Sequence, residues 1–453
     1  MSATDPRAFA APFVTPRERA PGPITLYRAL RSNPLGMWTR QHFEDLLVVT
    51  RTPIGSRVVV SDPEAVKRVL VDNAGNYGKD ALQRRMLARI TGRSLFSSEG
   101  ERWRLQRRAV APAFTPRVVG GMAPGMNAAA DAGVGAFRQA GNALVEVSRR
   151  LSTIAIDVLS RTVLSKSLPD GCEVVRERCE AFMERVGRIR MFDILGMPAW
   201  VPGLEDVRAR SITQMIDAHA DRVIARFDGS GANRTDERNV LSRLRGAGAL
   251  DRAEIRDNVS MLVGAGYDTV SAMLTWTLYL LSQSPDVREE LEGEADKAPE
   301  QISAEHALEG MPVARAVLEE ALRLYPPAPF MSRVAFGPDE IAGHRVAAGD
   351  VVVTAPWLVH RHRRLWADPD AFRPSRFSPA EREAIPRHAF IPFGAGPRVC
   401  IGAAFAMLEG IIVLAKLTRA FRFHFAGSAP PVPVQRVTLR PRDGMPMKVE
   451  LRV

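Results

Sequence analysis

Cys400 stands in the segment FGAGPRVCIG, residues 393–402. Gly394 and Gly396 let the backbone turn tightly, and Pro397 fixes φ. A helical pattern rich in small residues, AAFAMLEGIIVLAKL, follows at once. A thiolate placed there feels the positive end of the helix dipole and can accept backbone N–H bonds, so the expected thiol pKa is low. Gly402, Ala403 and Ala404 are small enough for a flat cofactor to approach. A lone cysteine is as readily a small buried hydrophobe. Two glycines, Arg398 and the small-residue helix turn the reading toward a ligand or a reactive thiol.

A second group lies in MLVGAGYDTVSAMLTW, residues 261–276. The pattern over 255–283 is apolar on nearly all sides, which predicts a buried helix. Gly264 and Gly266 each weaken such a helix by about 1 kcal/mol relative to Ala. Asp268 and Thr269 put a carboxyl and a hydroxyl into the same apolar stretch, which is costly unless they are paired. One reading is a packing notch with a satisfied Asp; the other is a locally opened helix that delivers protons.

Three further sets are weaker taken singly. Glu320 and Arg323, in AVLEEALRLYPP, are i,i+3 neighbours on a helix that Pro326 and Pro327 end. On a helical wheel they fall on the polar side with Glu319, which by itself reads as a solvated pair worth about 0.2–0.5 kcal/mol. Trp103 and Arg107, in GERWRLQRRAVAPAF, are one helical turn apart, as in any amphipathic helix with a core Trp and a solvated Arg. His360 and His362, in VHRHRRLW, have no third metal ligand placed by the sequence and read as solvated or backbone-bonded.

Taken together, these segments resemble the cytochrome P-450 superfamily of haem-thiolate monooxygenases, in the soluble bacterial type. The cysteine loop matches F-x-x-G-x-R-x-C-x-G at Phe393, Gly396, Arg398, Cys400 and Gly402. A-G-Y-D-T at 265–269 is similar to the family's oxygen-activation motif, Glu320 and Arg323 to its E-x-x-R, and Trp103 with Arg107 to its W-x-x-x-R. The resemblance implies haem b held by the Cys400 thiolate, with Phe393 shielding the sulfur and O2 as co-substrate. It implies propionate contacts from Arg398, Trp103, Arg107 and Arg333, and Ala265 and Gly266 over the haem face. Thr269 would then hydrogen-bond the bound oxygen, and Asp268 would relay protons. Glu320, Arg323 and Arg376, the last in FRPSRF with Ser375 where Glu is usual, would form a structural set.

For the substrate, the resemblance points to the loop after Tyr77, the 182–197 region, the Ala265 helix and the segment after Pro327. These supply Leu82, Leu87, Ile90, Phe182, Phe192, Val263, Ala265, Phe330 and Met331. Such an apolar wall suits a lipid-like or terpenoid/steroid-like molecule. Arg84, Arg85 and Arg89 in the first loop, and Arg185, Arg188 and Arg190 in the second, read as water-facing; one turned inward would anchor a carboxylate. Two alternatives stay open: a haem-thiolate peroxygenase or isomerase, against which Asp268-Thr269 argues, and a haem-binding sensor without turnover.

The positioning elements follow from the same chain. Residues 45–60 read as a hairpin, Asp62-Pro63 as a helix start, and the stretch to about 325 as mostly helical. Residues 331–356 return to strand, 403–420 are helical, and 434–452 read as a closing hairpin turned at Asp443-Gly444. The expected fold class is mainly α with a small β portion (α+β). Residues 1–36 form an irregular N-terminal segment and 37–453 a single haem-thiolate monooxygenase domain.

Composition bounds the rest. The chain has 453 residues, 46% hydrophobic and 25% charged, as in an ordinary globular protein. Three cysteines exclude a disulfide framework and a four-cysteine cluster. The net charge is +11, but the Arg residues are spread out and no nucleic-acid motif accompanies them, so nucleic-acid binding is not expected. Neither a signal peptide nor an apolar run of membrane-spanning length is visible, and the expectation is a cytoplasmic monomer. With no flavin or nicotinamide fingerprint, electrons are expected from a ferredoxin or flavodoxin and an NAD(P)H-dependent reductase.

Overall fold

In the computed structural model, described residues are 9–52, 55–141, 143–164, 168, 171–186, 204–229, 240–246, 248 and 250–452. Eight helices matter for the site. They are α1 (Ala81–Thr91), α2 (Gly100–Val110), α3 (Val147–Arg161), α4 (Cys172–Val186), α5 (Leu204–Gly229), α6 (Arg252–Ser282), α7 (Pro312–Leu324) and α8 (Ala403–Ala420).

The long central helix α6 starts at a capping box, in which the Asp251 side chain accepts from Glu254 N–H and the Glu254 side chain accepts from Asp251 N–H. Its apolar surface is covered by α3, α5, α7 and α8. The crossing with α3 is close because Gly266 has no side chain: a Cβ there would come within 2.9 Å of Leu159. Trp276, on the same helix, is fully buried and stacks on Tyr325 with ring centroids 3.9 Å apart. Such a pair contributes about 0.5–1.5 kcal/mol beyond its buried area.

The strands form four small sheets among the described residues. The largest joins β1 (Leu47–Thr52), β2 (Gly55–Val60), β3 (Tyr77–Gly78), β5 (Met331–Ala335) and β8 (Val351–Thr354) in the order β1-β2-β8-β5-β3. A second pairs β4 (Leu144–Glu146), β12 (Pro446–Leu451) and β9 (Phe421–Phe425). Two hairpins remain, β6 (Asp339–Ile341) with β7 (His344–Val346) and β10 (Pro433–Gln435) with β11 (Leu439–Pro441). The fold is mainly α with a small β portion. The 45–60 hairpin and the Asp62 cap, whose carboxylate accepts from Ala65 N–H at 2.8 Å, are present as expected.

Two expectations are corrected. The segment read as irregular contains a helix, Pro23–Ser32, with Pro23 in its first turn; flanking prolines obscured its short apolar pattern. The closing hairpin is tipped at Arg436–Thr438, because β12 leaves the Asp443-Gly444 turn to pair with β9 and β4 instead. Asn33, just past the N-terminal helix, pins β10 by donating to Pro433 O and accepting from Gln435 N–H.

Candidate active site

Gly394 and Gly396 take φ of +73° and +70°, and a Cβ on Gly396 would strike the carbonyl oxygen of Leu70. Only glycine fits both demands. The loop closes with Cys400 N–H donating to Phe393 O at 2.9 Å and Val399 N–H to Gly396 O at 3.0 Å. Cys400 is thereby delivered just ahead of α8, while Phe393 packs against the main core. Cys400 is exposed as a residue, yet its thiol is crowded by surrounding protein. Burial pushes its pKa up, against the Gly402 N–H and the Arg107 charge, which pull it down. The expected low thiol pKa is therefore corrected: desolvation outweighs the helix terminus. Metal coordination would remove the proton outright.

Around this loop lie cations short of carboxylates. Arg398 lies over the Trp103 ring with its guanidinium carbon 4.4 Å from the centroid and pairs with Glu99. Lys79 is 7% exposed and donates to Glu99 Oε1 at 2.9 Å. Arg333 is buried and donates to Ser332 O at 2.8 Å, with Gln83 Oε1 at 3.5 Å. Burial, reinforced by the Arg398 charge, pushes Lys79 down to about 8 and Arg333 to about 10. Such a cluster fits an anionic group, and the two propionates of haem are of that kind. Arg107 lies beside this cluster, over the Trp103 ring. Both Nη atoms donate to Val399 O at 3.0 Å, because α2 runs directly past the cysteine loop. Its charge acts on both the Cys400 sulfur and Arg398.

On α6, Ala265 is exposed although the helix around it is buried, and Gly264 has no atom within 4 Å of where its Cβ would be. Gly264 and Ala265, not Gly266, present the open face; Gly266 is turned toward Leu159 of α3. Thr269 donates its hydroxyl to Ala265 O at 2.9 Å. Asp268 is buried, forms an ion pair with Arg440 and accepts from Thr438 Oγ1 at 2.8 Å.

These residues border a cavity of about 250 Å3. Leu82, Leu87 and Ile90 of α1, Phe182 of α4, Val263 and Ala265 of α6, and Phe330 all line it. Phe192 lies outside the described residues. Met331 is corrected: alternation along β5 sends Ser332 to the cavity, and Met331 meets the Gly394 position, 3.5 Å from a Cβ built there. Among the described residues, the arginines bordering the cavity are Arg178 and Arg436, not Arg84, Arg85 or Arg89. Arg188 and Arg190, and the side chain of Arg185, lie outside the described residues.

Glu320 and Arg323 are both 0% exposed, which overturns their reading as a solvated pair. Arg323 donates to both Glu320 oxygens at 2.7 Å and to the carbonyls of His360, Pro369 and Ala371. Arg376 joins through Nε to Glu320 Oε1 at 3.2 Å. His360 and His362 are buried, and His360 Nε2 accepts from Ile391 N–H at 2.8 Å. Sequence reasoning missed Lys79, Glu99, Thr438, Arg440 and the cavity-lining Cys179. The one available signal was charge in otherwise apolar or turn-forming segments.

Comparison with known proteins places this arrangement. Residues 38–447 match the family model described as Cytochrome P450. The chain is 28% identical over 424 residues to Protein LUTEIN DEFICIENT 5, chloroplastic, of Arabidopsis thaliana, covering 88% of this chain and 70% of that one. It is 29% identical over 392 residues to Cyclooctatin synthase of Streptomyces melanosporofaciens, covering 84% and 82%. It is 28% identical over 426 residues to a Cytokinin hydroxylase of Arabidopsis thaliana, covering 90% and 81%. Because the family match spans most of its length, the chain belongs to the cytochrome P450 family of haem-thiolate monooxygenases.

Proposed function

We propose that this chain inserts one oxygen atom from O2 into an apolar, lipid-like or terpenoid/steroid-like molecule, and that the Cys400 thiolate would hold the iron of haem b. The observation that carries the reading is an exposed cysteine at a glycine-shaped loop, beside three buried or half-buried cations, Arg333, Lys79 and Arg398, of which the last two share the Glu99 carboxylate. Bound there, haem would supply the oxygen chemistry, and the thiolate would donate electron density to the iron.

The chain's own residues do the rest. Arg107 fixes the cysteine loop through Val399 O and favours the thiolate by its charge. Lys79, Arg333 and Arg398 would hold the propionates. Thr269 offers a hydroxyl at the open face of α6, and Asp268 holds a proton-relay carboxylate one residue away. The apolar cavity wall orients substrate and excludes water, with affinity rising by roughly 25 cal/mol per Å2 of apolar surface buried. Electrons would come from a ferredoxin or flavodoxin with its reductase. A cytoplasmic, monomeric enzyme of bacterial type, with one domain from residue 37 onward, completes the proposal; the similarity to the Streptomyces relative supports the bacterial type.

The test is the spectrum of reduced protein with CO. The wild type is expected to give the strongly red-shifted Soret band of thiolate ligation, and Cys400→His to lose it. Retention of that band in Cys400→Ala would reject the assignment.

A further inference from the structure

Glu99 is the residue immediately before α2, in extended backbone, and its side chain makes no capping bond to that helix. Its carboxylate is turned across to two other segments. Oε1 accepts from Lys79 Nζ at 2.9 Å and from Lys79 N–H at 3.3 Å, and Oε2 pairs with Arg398. The neighbouring Ser98 carbonyl accepts from the same two cations, at 3.0 Å from Lys79 Nζ and 3.5 Å from Arg398 Nη1. Among the described residues, Glu99 is the one carboxylate hydrogen-bonded to Lys79, Arg333 or Arg398. Asp80 acts on Arg333 at longer range, while its own carboxylate caps α1 through Gln83 N–H at 2.8 Å.

Lys79, Arg333 and Arg398 carry positive charge, the Arg107 charge acts on Arg398 from beside them, and Glu99 offsets one charge of this group. We propose that Glu99 is a positioning residue that fixes Lys79 and Arg398 and lowers the net positive charge of the cluster by one. It thereby sets the reduction potential of the haem these cations would hold. This rests on the haem reading above. Arg107 is held through a different group: both its Nη atoms donate to Val399 O.

Glu99→Gln keeps a hydrogen-bond acceptor but leaves an extra positive charge, which favours the added electron. A unit charge at that edge shifts a one-electron equilibrium by up to about tenfold, or about 59 mV, at the effective dielectric of a site near a protein surface. Spectroelectrochemical titration of the haem-loaded full chain reads it. Expected results are a shift to more positive potential in Glu99→Gln and a near-wild-type value in Glu99→Asp. Lys79→Met should shift the potential the other way, and Lys79→Met combined with Glu99→Gln should return it. If Glu99→Gln fails to fold or to load, the last two variants decide by the same pattern. Haem-loaded variants that all share the wild-type potential overturn the proposal while leaving the function standing. A wild-type chain that takes up no haem overturns both.

Discussion

Arg440, on β11, holds the carboxylate of Asp268 on α6 in an ion pair, and Asp268 is 2% exposed. Thr438 Oγ1 donates to the other carboxylate oxygen, so the β10–β11 hairpin carries both partners. The acid next to Thr269 is therefore held from the far end of the chain, while its hydroxyl neighbour is held by its own helix. A proton relay that uses Asp268 has to loosen or work through Arg440.

Arg440→Met tests this. A buried carboxylate that loses its cation is protonated more readily. The pH profile of turnover is expected to move upward by at least about one unit, or ~1.4 kcal/mol. Stability should fall by about 2 kcal/mol, less than for a fully buried pair because Arg440 is itself partly exposed. Arg440→Lys should recover most of the profile. An unmoved profile in Arg440→Met would remove Asp268 from the relay.

How much of this was legible depends on range along the chain. The cysteine loop, α6 and the first hairpin were readable because glycine, proline and apolar periodicity act within a few residues. The contacts that give Asp268 its partners cross 170 and 172 residues, and no local pattern carries them. Glu320 and Arg323 failed on the helical wheel for the same reason: carbonyls of residues 360–371 and Arg376 cover a face that looks polar. Met331 was misplaced by one residue of strand alternation, enough to move a side chain to the other face of β5.

The buried histidine next to that ion cluster makes a prediction about acid stability. Burial, with the Arg323 charge added, pushes His360 down to about 3 from an ordinary 6.5. Above pH 6.5 both folded and unfolded chains hold it neutral, and its contribution is fully present. Between pH 6.5 and about 3 the unfolded chain takes up a proton that the folded chain refuses, so stability falls as pH falls. The loss is about 1.4 kcal/mol per pH unit, so about 2 kcal/mol by pH 5. Denaturant midpoints at pH 7 and pH 5 should show this in the wild type. His360→Gln, which can keep an acceptor for Ile391 N–H, should lose most of that slope; an equal slope in both proteins would contradict it.

A second consequence concerns the electron carrier. Arg104 and Arg108 are exposed on α2, the helix whose Trp103 and Arg107 meet the cysteine-loop residues Arg398 and Val399. Carrier docking on this face predicts that reduction by an acidic ferredoxin slows as salt rises, because exposed charges are screened beyond about 8–10 Å at physiological ionic strength. Arg104→Glu with Arg108→Glu should lower the second-order reduction rate by about tenfold or more, through the encounter step. The spectral Kd for an apolar ligand should stay the same. Equal reduction rates in stopped-flow mixing would move the docking face elsewhere.

The cavity also decides what kind of oxygen function a substrate can bring with it. Its wall is largely apolar, and the two arginines on it among the described residues are already engaged: Arg436 donates to Ser32 O at 2.6 Å, and Arg178 also has interaction partners. A ligand carboxylate would have to displace such partners and be desolvated as well, which is costly for an ion. In a matched series of acid, methyl ester and alcohol on one terpenoid or fatty chain, the ester and alcohol should therefore bind at least as tightly as the acid. Lengthening the chain should tighten all three by up to about 0.8 kcal/mol per buried methylene. The ferric spin-state shift gives each Kd. An acid that binds tenfold tighter than its ester would mean that an arginine turns into the cavity, and a preference for small polar ligands would overturn the apolar reading of the site.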